Sequence, residues 1–500
     1  LLEGLEDDGL EALGLYIDEL CGSQFASATA LENFLNSSTQ TLGLDEEFIL
    51  QGFDDGDLSG TGVLTDEAIN NLSNRNQEST GADFQWTLRG SVLGYSSQTV
   101  LGGAYFRGRS DFNSVLELSD LDPSTRLTVG LGVGTFINEE ATSIKTETES
   151  VSLYGTTILD LSDALTLTLS ARANDTDVTL RDKSGERREL NGSHGYFRVN
   201  PAIGLTWQIG SNHNLYSSYS ESSRTPTPIE LSCNEGIFDL AVEFAIAAGE
   251  NPDDVNFECR LPNAFLADPP LDDVIASSFE VGARGFLGEL SYSLGLFHTT
   301  NHDDILFQTT GRSTGLFANV DKTRRVGFES SLQGQWQNLK WMLAYSIVDA
   351  TFEADFQTLS PNHDFADDNG EIGVRRGDRI PGIPQNQFKL TAEYRVRDGL
   401  NIGLDILSNG GQFIRGDESN QLDEVDGYTV VTLRAHYRFN KQLEIFAKVD
   451  NLFDAEFETF GLLGEEPGEL DVPLIADMTI PVFLGAAPPR AGFVGIRYRF

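Results

Sequence analysis

From about residue 84 onward the chain alternates apolar and polar positions with a period of two. Leu165, Leu167, Leu169 and Ala171 are interleaved with Thr166, Thr168, Ser170 and Arg172. Phe388, Leu390, Ala392, Tyr394 and Val396 are interleaved with Lys389, Thr391, Glu393 and Arg395. The same holds for Val431 to Phe439, around Arg434, His436 and Arg438, and for Leu443 to Val449, around Glu444, Phe446 and Lys448. A strand turns successive side chains to opposite faces, so each segment predicts a strand with one apolar and one polar face. The segments often reach about 10 residues, whereas soluble strands average about 5–6. A tilted strand that crosses a bilayer needs about 9–11. Phe388, Tyr437 and Phe439 sit at the ends of apolar faces, as interfacial girdles do. The pattern predicts an all-β chain, a transmembrane antiparallel β-barrel.

The connections alternate between short and long. Short ones are expected near Tyr95–Gln98, Leu161–Ala164, Gly210–His213, Phe286–Glu289, Gln335–Leu339, Arg397–Gly399 and Asn440–Gln442. Long ones are expected near residues 111–144, 179–193, 222–274, 310–322, 353–382, 414–425 and 453–489. Membrane barrels join their strands in this way, with short periplasmic turns and long outer loops, and the rhythm implies about fifteen strands. Residues 1–83 differ: they are acidic, rich in Asp, Asn, Ser and Gly, and alternate poorly. They are expected to form a long acidic extracellular loop region ahead of a barrel at 84–500. Asp54 to Gly60 looks like a calcium loop but lacks its ligand spacing and closing Glu, and reads as a solvated turn. In the last segment Val494, Ile496, Tyr498 and Phe500 alternate with Gly495, Arg497 and Arg499. An apolar face closing on an aromatic resembles the signature read by the barrel-assembly machinery, so these four are expected to act as the membrane-insertion signature.

Charge narrows the partners. The chain of 500 residues carries 77 acidic against 34 basic side chains, for a net charge of −43. Nucleic-acid phosphates select for Lys and Arg, so no nucleic-acid partner is expected. The acidity reads as a well-solvated surface, or as outer loops that bridge cations. No stretch approaches the ~18 consecutive apolar residues of a membrane helix. Gly-rich phosphate loops, His-Glu-x-x-His helices and Gly-x-Ser-x-Gly elbows are not found. The reading is therefore not that of an enzyme, and no cofactor is implied. His298 and His302, four apart, would lie about 13 Å apart along a strand, so polar lumen or rim positions are expected rather than a metal site. Cys233 and Cys259 flank a loop that the barrel reading places outside the cell, where a disulfide is favoured. The alternative is two free thiols, and Cys21 is left over.

Several motifs, in order, resemble TonB-dependent outer-membrane receptors. Asn214 to Leu231, with Arg224-Thr225-Pro226, resembles their mid-barrel strand running into an Arg-x-Pro loop. Arg324 to Glu329 resembles a strand start, Asp378 to Pro384 a Pro-x-x-Pro re-entry loop, and Asp450 to Asp454 the Asn-Leu-Phe-Asp motif before the closing strand at Ala491–Phe500. The resemblance spans residues 84–500. It implies a 22-stranded barrel with a plugged lumen. Neither plug nor TonB box is visible in this sequence, so both are expected to lie upstream, with the first visible strand near the eighth. It further implies a bacterial outer-membrane receptor amid lipid and lipopolysaccharide. Such a receptor takes up a scarce nutrient through TonB, which would act through the missing N-terminal region. The expected ligand is an iron chelate, a ferric siderophore. Cobalamin, haem, a glycan, or a passive surface-binding barrel are the alternatives. On this reading Arg434, His436, Arg438 and Lys448 face the lumen and plug, and Phe413, Arg415 and Tyr428 are candidates for ligand contact.

Overall fold

The alternation is realised as one antiparallel sheet. The computed structural model describes residues 67–122, 127–130, 136–184, 191–231, 271–311, 314–367, 369–464 and 481–500. Its strands are β1 (Glu67–Val92), β2 (Tyr95–Asp122), β3 (Leu127–Gly130), β4 (Phe136–Asp160), β5 (Leu165–Asp182), β6 (Gly192–Ile209) and β7 (His213–Arg224). After the short helix α1 (Pro228–Leu231) come β8 (Val274–Leu287), β9 (Leu290–Gly311), β10 (Thr314–Trp336), β11 (Leu339–Phe352), β12 (Phe356–Leu359) and β13 (Glu371–Val374). The series ends with β14 (Asn386–Arg397), β15 (Leu400–Asn409), β16 (Tyr428–Arg438), β17 (Leu443–Asp450), β18 (Glu458–Leu463), β19 (Val482–Ala486) and β20 (Ala491–Tyr498). Fifteen strands follow one another in the order β1-β2-β4-β5-β6-β7-β8-β9-β10-β11-β14-β15-β16-β17-β20, with β3 attached to β2. The fifteen agree with the hairpin rhythm. Two separate hairpins, β12–β13 and β18–β19, stand on the long connections.

Register fixes which side chains share a face. Leu169, Ile203, Tyr219 and Phe279 are successive cross-strand partners and are 39–49% exposed. Val494 and Ile496, near the end of the sheet, are 74% and 70% exposed. Burying one such side chain is worth about 1.5–3 kcal/mol, so a whole face of them belongs against lipid. The band has a sharp upper limit. It runs from Leu165 to Ala173 on β5 and gives way to Asp175; on β4 it runs from Leu159 to Val151 and gives way to Glu149. At the lower rim, beside the short turns, lie Trp207, Trp336, Trp341 and Tyr498. There too Tyr437 and Phe439 pack edge to face at 4.2 Å, with the Arg397 guanidinium 5.1 Å from the Tyr437 ring. Phe388 marks the opposite end of its strand, next to the outer loops.

Three expected loop boundaries and one turn are corrected. The boundary at 83/84 falls inside β1, since residues 67–83 are strand; residues 1–66 lie outside the described residues. The long connection expected at 111–144 is largely strand, because β2 extends to Asp122 and β4 begins at Phe136. The one at 310–322 is strand except for its tip, with Phe317 paired to Phe307. The reason is common to all three: these stretches rise beyond the apolar band. Water then bathes the outer face, no apolar row is required, and the period-two signal vanishes although the ladder continues. The first short turn is Leu93-Gly94 rather than Tyr95–Gln98. Both of its residues have positive φ, 52° and 88°, which matches the twist of a two-residue hairpin.

Small cores sit where outer loops fold back. Ile144, Val178, Leu180, Leu231 and Leu271 form one, and Ile414, Val425 and Leu463 another. The loop after β7 delivers Leu231 through α1. Thr227 and Glu230 form a capping box: the Thr227 amide donates to Glu230 Oε2 at 2.7 Å, and the Glu230 amide to Thr227 Oγ1 at 3.4 Å. The Asn-Leu-Phe-Asp segment ends β17 as a turn. Buried Asn451 has φ 49° and Asp454 φ 56°, and the Asn451 side chain makes two hydrogen bonds to the Ala455 backbone at 2.8 and 2.9 Å. Asn and Asp tolerate this left-handed conformation, which explains the residue types.

Candidate functional site

The inner face carries the chemistry. Four of its aromatic side chains lie against the wall. Tyr216 is the direct partner of Gly282, Phe446 of Gly495, Tyr154 of Gly102 and Phe297 of Gly327. A Cβ at any of these glycines would stand 2.3–2.4 Å from a ring atom. Only glycine leaves room for the ring to lie on the neighbouring strand. Arg284, Arg497 and Arg172 stack over Tyr216, Phe446 and Tyr154 at 5.7, 5.7 and 5.6 Å. Gly282→Val is accordingly expected to push Tyr216 off the wall at a cost of about 1–3 kcal/mol. A lowered thermal midpoint of the receptor in detergent would register this, whereas Gly90→Ala, with open space around it, should leave the midpoint unchanged.

A cavity of about 310 Å³ opens in this wall, bordered by Tyr216, Glu280, Glu329, Gln387 and Lys389. The Tyr216 hydroxyl donates to Glu280 at 2.7 Å. Higher on the same face a chain of contacts runs outward. Gln387 Nε2 donates to Asn409 Oδ1 at 3.0 Å, and Asn409 Nδ2 to the Tyr428 hydroxyl oxygen at 2.6 Å. The Tyr428 ring stacks on Phe457 at 4.2 Å.

The register puts Arg434, His436, Arg438 and Lys448 on this polar face. Arg434 Nε bonds Asp405 at 2.8 Å and its Nη1 lies 3.6 Å from Glu393. His436 and Arg497 both reach Glu444 Oε1, at 2.8 and 3.2 Å. Lys448 pairs with Asp450 at 2.7 Å, and Arg438 stands opposite Glu444. Ion pairs this exposed are each worth about 0–1 kcal/mol. Their consequence is a polar wall on which Arg434, Lys448 and Arg497 are each paired with a carboxylate.

Of the three ligand candidates, Phe413 and Arg415 meet at the outer-loop junction and Tyr428 does not. The Gly382 amide donates to the Phe413 carbonyl at 2.9 Å. The Arg379 guanidinium lies 5.4 Å from the Phe413 ring and pairs with Glu424 at 2.9 Å. Arg415 is held through its backbone by Gly461 and Leu463, and its side chain is exposed. The Pro-x-x-Pro segment therefore docks on the 410–427 loop above the lumen. Cys233 and Cys259 lie outside the described residues. His298 is on the outward face, its Nε2 3.3 Å from Thr300 Oγ1.

The sequence reading missed a buried pair that ties the junction together. His363 and Asp417 have fully buried side chains, and Nε2 meets Oδ1 at 3.0 Å. His363 Nδ1 accepts the Phe365 amide at 3.1 Å, so Nε2 is the nitrogen that donates to Asp417. Asp417 also accepts the Ser419 hydroxyl at 3.1 Å and the amides of Gln421 and Leu422, both at 2.9 Å. Ser360 Oγ donates to the Gly416 carbonyl at 2.6 Å. A side-chain-to-backbone signal was present in Asp417-Glu418-Ser419, but His363 is distant in sequence.

Neighbouring Glu418 is buried, and burial is the largest influence pushing its carboxyl above the ordinary glutamate range. The folded state thus holds this proton more tightly than the unfolded chain. Stability is fully present below the ordinary range and declines as pH rises from there through the raised folded value. Glu418→Gln is expected to stabilise the junction at neutral pH and to bring no gain in acid. Hydrogen exchange of residues 410–422 at two pH values checks this; an equal effect at both would refute it.

An apolar outer band, a polar inner wall and long outer loops on an antiparallel sheet define an outer-membrane β-barrel. More narrowly, the chain belongs to the TonB dependent receptor-like, beta-barrel family, whose profile matches residues 20–452. It is 25% identical over 212 residues to the metal-pseudopaline receptor CntO of Pseudomonas aeruginosa, covering 41% of this chain and 27% of that receptor. It is 23% identical over 337 residues to the ferric-pyoverdine BN7/BN8 receptor of Pseudomonas putida, covering 64% and 33%. Its fold is similar to the siderophore receptor PiuA from Acinetobacter baumannii (TM-score 0.59, 15% identity, 85% of this chain and 56% of that one). It is also similar to the ferric yersiniabactin uptake receptor FyuA from Yersinia pestis (TM-score 0.57, 14% identity, 87% and 56%). The chain thus spans about half the length of these solved receptors and a third or less of the curated ones.

Proposed function

We propose that the protein is the barrel of a receptor that captures a ferric siderophore on its outer loops and imports it by TonB-dependent transport. The observation that carries this reading is the docked outer-loop junction. Phe413, Arg379 and Arg415 gather at the mouth of a polar lumen wall, where an aromatic face and guanidinium groups suit a metal chelate with anionic oxygens. The names of the relatives, which are receptors for metal chelates, support the same class. Tyr428 lies deeper on the wall and would meet the ligand after the loops. Arg434, His436, Arg438 and Lys448 would face the plug, and TonB would engage through the N-terminal region. Val494, Ile496, Tyr498 and Phe500 would guide insertion among outer-membrane lipid and lipopolysaccharide. A Cys233–Cys259 disulfide would brace an outer loop.

The test uses cells that carry the whole gene under iron limitation and measures uptake of radiolabelled ferric siderophores. Uptake that requires both this gene and tonB, and falls about tenfold or more in the Phe413→Ala/Arg415→Ala double variant, is expected. Gene-dependent uptake that persists without TonB would replace this reading with a passive barrel. Uptake of haem or cobalamin instead would change the cargo.

A further inference from the structure

The β18–β19 hairpin turns Leu484 toward the 410–427 loop, and nothing in the described fold covers this side chain. Leu484 is 51% exposed, whereas Phe460, Leu462 and Phe483 stand on the other face of the hairpin. Yet this hairpin belongs to the outer loops, bridged to Arg415 through Leu462, and is no part of the lipid-facing sheet. On this side a cavity of about 480 Å³, lined by Val482 and Leu484, opens between the hairpin and the 410–427 loop. Its floor is the outer core of Ile414, Val425 and Leu463. Every charged residue in its wall is a carboxylate: Asp364, Asp423, Glu424, Asp426 and Glu458. Arg379 neutralises Glu424 at 2.9 Å. The other four have no side-chain partner among the described residues.

We propose that this cavity binds an amphipathic cation, an apolar body bearing an ammonium or guanidinium group, at a site separate from the chelate junction. The apolar body would cover surface that now faces water. The cation would meet a rim of one sign, whereas an anion would be repelled by it. Because the rim carboxylates stay solvated, they select the ligand and speed its approach more than they tighten it, and salt weakens the effect. The inference goes beyond iron uptake, since the unpaired carboxylates and Leu484 that it relies on are not among the residues assigned to the chelate.

The probe is dansylcadaverine, an aromatic body with a primary ammonium, titrated by fluorescence into the full-length receptor in detergent. Its N-acetyl derivative is the neutral control and dansylglycine the anionic one. Saturable binding of the cation, about tenfold tighter than either control, is expected. The Asp423→Asn/Asp426→Asn/Glu458→Gln variant should lose that preference while binding the neutral probe as before. Leu484→Ser should weaken the cationic and neutral probes alike. Ferric-siderophore uptake by the triple variant should stay at its normal level, and its loss together with probe binding would overturn a separate site. Equal binding of the three probes, or an unchanged preference in the triple variant, would overturn the proposal outright.

Discussion

Asp417→Ala is expected to open the outer-loop junction, at a cost of about 3–5 kcal/mol, because several buried donors lose their acceptor at about 1–3 kcal/mol each. The carboxylate holds four donors, from His363, Ser419, Gln421 and Leu422. Alanine would leave the His363 Nε2–H and two amides buried without acceptors. Hydrogen exchange should accelerate in residues 360–367 and 410–422 and remain slow in β14 to β17. Asp417→Asn keeps the acceptor that serves His363, so its effect should be smaller. Since Phe413 and Arg415 lie on the same loop, siderophore uptake should fall with the alanine variant. Unchanged protection in both segments would show that the pair does not bind the loops together.

Leu169→Arg is the second large effect. Leu169 is the middle of the five outward positions of β5 that run from Leu165 to Ala173. Arginine there, near the bilayer midplane, should cost about 2–4 kcal/mol. Ser170→Arg, one residue on, points to the inner face beside Ala202 and Thr156 and should cost far less. The comparison is made by urea unfolding of the full receptor in lipid vesicles. Equal losses at the two positions would mean that the apolar face is not the lipid face.

Those two variants divide what was legible from what was not. The band around Leu169 is written in sequence, because lipid demands an apolar side chain at every second position. The same demand made the rim aromatics Tyr437 and Phe439 legible, along with most of the short turns and the polar face with Arg434, His436 and Lys448. Residues 67–83 and much of 111–144 were read as loop for the complementary reason. Outside the bilayer neither face has to be apolar, and ladder hydrogen bonds between backbone groups leave no mark on residue type.

The glycine rungs fall between these cases. Gly282 and Gly495 are visible as glycines, but only the register places Tyr216 and Phe446 on top of them. The junction of His363 with Asp417 was beyond reach. With 77 acidic residues in the chain, no single Asp stands out, and partners 54 positions apart meet only because β13, β14 and β15 set their loops side by side. The acidic cavity beside Leu484 has the same origin. By itself the sequence determined a membrane-crossing sheet with an inside and an outside, because a solvent acts on each residue independently of its partners. The tertiary structure decided how the loops join and what they can hold, because contacts between distant segments depend on the register of every strand between them.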